Sequence, residues 1–180
     1  MNSNVVPRER AAGFSLIELL IVVAIILVIV AIAIPNLLQS RMAANETSAA
    51  YTMRTLHTAF VTYSTTYQNG YPPILDTLAP GPGNITTCNT AGLVEPMLAV
   101  NHIKGGYVYT YTPGPALPVS GVGCAAPGVT TFTLNTDPGP NGSERGRVGR
   151  KSFYMDDTGI IRFNMIAPAG PNDAPIPAGG

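Results

Sequence analysis

The chain has 180 residues, 46% of them hydrophobic and 11% charged, which leaves room for one modest domain plus an anchor and excludes two large domains. Ten basic and ten acidic residues give zero formal net charge, so no overall electrostatic drive pulls the chain toward nucleic acid or an anionic membrane. The 19 Gly and 17 Pro gather after residue 69, which predicts loops and short strands there and leaves long helix to the first half, where Pro7 and Pro35 are the only prolines.

Residues 1–13 are short and polar and carry Arg8 and Arg10. An apolar run follows from residue 14 to residue 34 with Glu18 as its one charge. At ~1.5 Å per residue the run reaches ~31 Å as a helix, enough to cross a hydrocarbon core of ~30 Å. The basic flank places the N-terminus on the cytoplasmic side and everything after Ile34 on the far side. A cleaved secretory signal is one reading, with residues 19–30 as the apolar core and Ala31-Ile32-Ala33 as a small-x-small site. An uncleaved anchor is another, in which Glu18 would cost ~2.5–3.5 kcal/mol if it lay centrally.

A third reading gives the carboxylate a purpose. Gly13-Phe14-Ser15-Leu16-Ile17-Glu18-Leu19-Leu20-Ile21-Val22-Val23, with Pro35 21 residues after Phe14, resembles the type IV pilin-like superfamily, which includes type IV pilins and the pseudopilins of type II secretion. The resemblance implies a leader of residues 1–13 removed by a prepilin peptidase after Gly13, with Phe14 as the first, N-methylated mature residue. Glu18 matches the family's acidic fifth mature residue, and Pro35 falls where the family commonly carries proline. Physical chemistry supports the match: in a packed array of parallel helices, Glu18 of one subunit can meet the amine of a neighbour's Phe14, turning two buried costs into one ion pair that sets register.

Pro35 should kink or loosen the helix without ending it. From residue 36 to residue 67 there is no Gly or Pro, and Met53, Leu56, Phe60, Tyr63 and Tyr67 recur at spacings of three and four, one face of an amphipathic helix that can pack on a sheet. Gly70 reads as the stop. One helix of roughly 80 Å is expected, residues 14–35 being its membrane or assembly half and residues 36–68 its amphipathic half.

The remainder, residues 69–166, reads as an α+β head. Residues 69–105 form an irregular connection with a short helix around residues 93–99. Cys88 and Cys124 are the only cysteines; an even pair in an exported chain suggests a disulfide, two separate thiols being the alternative. Alternation predicts strands at residues 107–111 and 130–134, and a hairpin from residues 152–155 to 160–165 across Asp156-Asp157-Thr158-Gly159. About four antiparallel strands result, with a Pro-, Ala- and Gly-rich flexible tail over residues 167–180. Asp156 and Asp157 read as turn residues rather than calcium ligands, since two carboxylates fall short of six to eight oxygens. His57 and His102 have no neighbouring ligand at metal spacing. No metal or cofactor site and no catalytic constellation emerges.

Arg145, Arg147, Arg150 and Lys151 share a Gly-rich loop without a phosphate-binding pattern. They read as a solvated loop, with an anion, nucleic acid or the acidic face of a neighbouring subunit as the alternative.

The resemblance therefore implies an α+β, pilin-like subunit whose long N-terminal helix packs on a small antiparallel sheet. It would be anchored by one pass in the bacterial inner membrane with its head in the periplasm, then polymerised into a type IV pilus or a type II secretion pseudopilus. Its partners would be further copies of itself, minor pilin-like subunits, the prepilin peptidase and an inner-membrane assembly platform. The alternative is a tethered or secreted binding module with an ordinary signal peptide.

Overall fold

The computed structural model describes residues 13–118, 121 and 123–177. The expected leader before Gly13, Arg8 and Arg10 included, lies outside the described residues. The chain divides into two compact units, Met1–Gln39 and Ser40–Gly180. Helix α1, Leu16–Tyr67, runs from the first into the second and continues past Pro35. In the first unit every described residue is exposed.

In the second unit α1 presents the predicted stripe. Met53, Leu56, Phe60 and Tyr63 are buried, joined by Ala49 and Ala59 at the same helical spacing. They pack with Tyr107, Tyr109, Phe132, Leu134, Phe153 and Met155 of the sheet in one core; the Phe60 and Phe132 rings meet edge to face at 4.5 Å, a geometry worth ~0.5–1.5 kcal/mol beyond the burial itself. On the exposed side, Thr47, Thr55, Thr58, Thr62 and Thr65 each donate their hydroxyl to the carbonyl four residues back. The helix ends at Gln68, which takes a left-handed φ of 48°, two residues before the expected stop. Gly70 is needed for a different reason: with φ 67°, a Cβ there would stand 2.6 Å from the Val129 carbonyl oxygen.

Five strands, not four, form one antiparallel sheet in the order β1-β2-β3-β4-β5: β1 Ile103–Lys104, β2 Tyr107–Pro113, β3 Phe132–Pro138, β4 Ser152–Asp156 and β5 Arg162–Asn164. The extra strand is β1, folded onto β2 through Gly105-Gly106, both at positive φ, the signature of a two-residue hairpin turn. Strand β3 begins at Phe132 rather than Thr130 because Val129 is taken up in bridges to Tyr71 and Ala116. Strand β5 is shorter than expected. Asn164 Oδ1 accepts from the amides of Ile166 and Ala167 and turns the chain away. Helix α2 spans Pro96–Asn101, shifted from residues 93–99. Pro96 suits a helix's first turn, while Leu93 and Val94 donate to the Leu78 carbonyl.

The connection after α1 is pinned by two buried leucines, Leu75 and Leu78, on a short 3-10 turn, and by the disulfide Cys88–Cys124, whose Cα atoms lie 5.1 Å apart. Tyr63 Oη donates to the Cys88 carbonyl at 3.0 Å, and Asn69, fully buried, reaches the Ala126 carbonyl and receives the Gly121 amide. The hairpin turn forms as predicted: Gly159 at φ 76° donates to the Asp156 carbonyl, and Asp156 Oδ1 accepts from the Thr158 amide.

Residues 167–177 depart from the expectation of a flexible tail. Ala169 is buried, Ile176 packs against the core, and Asp173 accepts from Asn164 of β5 through Oδ1 and from the Gly170 amide of its own segment through Oδ2. Residues 178–180 lie outside the described part.

Candidate functional site

The site is the start of α1. Phe14 and Ser15 precede the first helical turn, Glu18 lies within that turn, and the Leu19 amide closes onto the Ser15 carbonyl at 3.2 Å. A carboxylate in a first turn is favoured by the unpaired amides and partial positive charge of a helix N-terminus. Glu18 thus suits its own helix before any neighbour is considered. Apart from Ser15 the surface around it is apolar: Phe14 is 77% exposed, Leu16 81% and Ile17 65%. Farther along, Leu20, Ile21, Ala24, Ile25, Val28 and Ile29 line a shallow groove of about 340 Å³. The best 18-residue window of α1 has a mean hydropathy of 3.4 and none of it is buried. By length and composition this segment can cross a membrane. In water it would be an exposed apolar surface far larger than a soluble monomer shows.

Pro35 lies inside α1, and Cys88 and Cys124 are joined to each other. The basic loop is the main departure from the sequence reading. Arg145 turns inward and donates to the Arg150 carbonyl and to Ser152 Oγ, both at 2.6 Å, and Ser152 in turn donates to buried Asp137. Lys151 pairs with Glu46 of α1 at 3.3 Å and lies 5.5 Å over the Phe163 ring. Arg147 meets Glu144 only at 4.0 Å on the surface, a pair of little energetic weight. Two of the four cations therefore serve the fold.

Sequence reasoning missed Glu46, which holds this loop to the helix. Its carboxylate also accepts the Arg150 amide at 2.7 Å, while Asn45 beside it donates to the Val148 carbonyl at 2.9 Å. Nothing local distinguishes Glu46 from a solvated helix residue, because its partners lie about a hundred positions away. His57 sits over the turn glycine Gly159, and His102 pairs with Asp76 at 3.1 Å. Among the described residues no three His, Cys, Asp or Glu side chains converge as a metal group would.

A long apolar helix with a carboxylate in its first turn, running into an α+β head, is a pilin-like arrangement. Residues 8–34 match the family model of the prokaryotic N-terminal methylation motif. It is similar to the type IV wide pilus major component PilA4 of Thermus thermophilus, 59% identical over 39 residues, 22% of this chain and 30% of the relative. It is also similar to the type IV major pilin protein PilA of Myxococcus xanthus, 47% identical over 53 residues, 29% of this chain and 23% of that protein. The matched part thus spans less than a third of either relative. No solved structure matches the chain.

Proposed function

We propose that this protein is a structural subunit of a type IV pilus, stored in the inner membrane through α1 and polymerised through the same helix. The observation that carries the reading is Glu18 in the first turn of an unburied apolar helix, directly after a Gly13-Phe14 junction that fits prepilin processing. Cleavage there creates an amine at Phe14, and a methylated amine still holds a proton. When subunits leave lipid, neighbouring helices replace it around residues 14–38, and each Glu18 finds an amine to pair with. Removing either partner would leave an uncompensated charge, so the pair favours one register. Both relatives are named as major pilus components, which supports the pilus over a secretion pseudopilus. The reading assigns the chain no catalysis.

The intact mass and N-terminal sequence of the protein from its native host test this. The expected mature chain begins at Phe14 and carries one added methyl group. A chain beginning at Ile34 would mean an ordinary signal peptide and an unanchored head, and would overturn the proposal.

A further inference from the structure

Strand β5 is the last in the sheet, and an uncovered edge strand offers its amides and carbonyls to any extended chain. Here the edge is occupied by residues 173–177. The Phe163 amide donates to the Ala174 carbonyl at 3.0 Å, and the Ile176 amide donates to the Ile161 carbonyl at 2.9 Å. Between those two bonds Arg162 faces Pro175 in an antiparallel bridge. In such a pair the backbone groups of the two facing residues point away from each other. The nitrogen of Pro175 is therefore aimed at the outer side of the arm, where a new strand would dock. Side alternation puts the nitrogen of Pro177 on the same outer side. Neither carries a hydrogen.

The arm is also held from several directions. Arg162 Nη1 donates to the Asp173 carbonyl at 2.9 Å, Asn164 Nδ2 to Asp173 Oδ1 at 3.1 Å, and the Gly170 amide to Asp173 Oδ2 at 2.8 Å. Asn135 of β3 donates to the Ala169 carbonyl at 2.8 Å. Ile176 adds an apolar contact with the core.

We propose that the C-terminal arm is a built-in edge seal: it fills the strand-accepting site of β5 and presents outward a strand with no amide to donate at Pro175 or Pro177, so that heads do not join sheet to sheet. The occupant it excludes is the corresponding edge of a second copy of this chain. The device needs both parts. Pairing alone would only move the open edge outward by one strand, and prolines alone would not dock.

Three full-length preparations in an excess of detergent micelles test the proposal: the unmodified chain, a chain ending at Ile166, and Pro175→Thr/Pro177→Thr. The anchor is common to all, so differences in particle mass report the heads. Truncation is expected to raise the exchange rate of the Phe163 amide at least tenfold and to at least double the particle mass by light scattering. The double substitution is expected to keep Phe163 protected yet also raise the particle mass, because it restores two outward amides while leaving the β5 pairing in place. A truncated chain that keeps its near-ultraviolet tyrosine signal and the unmodified mass overturns the proposal. Should truncation unfold the head, the double substitution decides alone: no rise in mass overturns the edge seal.

Discussion

Glu18 stands among residues more than half exposed on an apolar helix, and the favourable charge of its own helix terminus does not make it indispensable to folding. Its replacement should leave the head untouched. Glu18→Ala and Glu18→Gln are both expected to lower filament yield at least tenfold, measured by shearing and electron microscopy, while the Cys88–Cys124 bond still forms. Normal filaments from the charge-free Gln variant would remove the pairing argument. Tyrosines of β2 give a second prediction. Burial pushes the Tyr109 phenol up to about 12 and raises those of Tyr107 and Tyr111 as well. A proton held more tightly in the folded than in the unfolded chain adds stability below the unfolded value near 10, and that stability is lost as pH rises through about 12. Melting temperature should therefore fall between about pH 10 and 12, and Tyr109→Phe should flatten that fall.

At the scale of elements, the long connection after α1 depends on its staple. In the chain-entropy model a bridge closing a loop between 15 and 100 residues is worth ~3 to ~4.7 kcal/mol, so Cys88→Ser/Cys124→Ser should lower denaturant stability by about 3–4 kcal/mol. Gly149→Ala tests the clamp between α1 and the basic loop: a Cβ there would stand 2.0 Å from Tyr107 Oη, whose hydroxyl donates to the Lys151 carbonyl. The expected outcome is a loss of about 1–3 kcal/mol by denaturant melt, as for other forced overpacking. Legibility also sorts by element. The α1 stripe was readable because its five positions repeat at helical spacing within one segment, β2 because its tyrosines alternate locally, and β4 because its aromatic run leads straight into the Asp156–Gly159 turn. Strand β1 is only two residues long, yet Gly105-Gly106 was a turn signal that could have revealed it. The arm of residues 167–177 was misread because proline and glycine content speaks for looseness, whereas its order comes from Asp173, Ala169 and Ile176 meeting partners on other strands.

Across the whole molecule the two units rest on different physics. Ser40–Gly180 holds the buried core, whereas Met1–Gln39 has no buried residue among those described. Leu56→Ala should cost the head about 2–5 kcal/mol, a large part of the ~5–15 kcal/mol that a domain possesses. In micelles the near-ultraviolet signal should then melt at a lower temperature while anchor helicity, read in the far ultraviolet, persists beyond that transition. A single coincident loss of both signals would show the units to be one cooperative body. The division between them follows where local information runs out. The apolar half of α1 is specified by a continuous composition and a short motif, both legible within one stretch of the chain. The head is specified by partners far apart in sequence, such as Glu46 with Lys151 and Asn69 with Ala126, which no window of residues reveals.

The threonines on the outer side of α1 carry a last consequence. Each of the five hydroxyls is already spent on a carbonyl of its own helix, at the small helical cost of such back-bonding. What each then shows outward is chiefly a methyl group. If these five positions are stripped of water, none of the five hydroxyls is left without an acceptor. It is a coat that can be worn wet or dry.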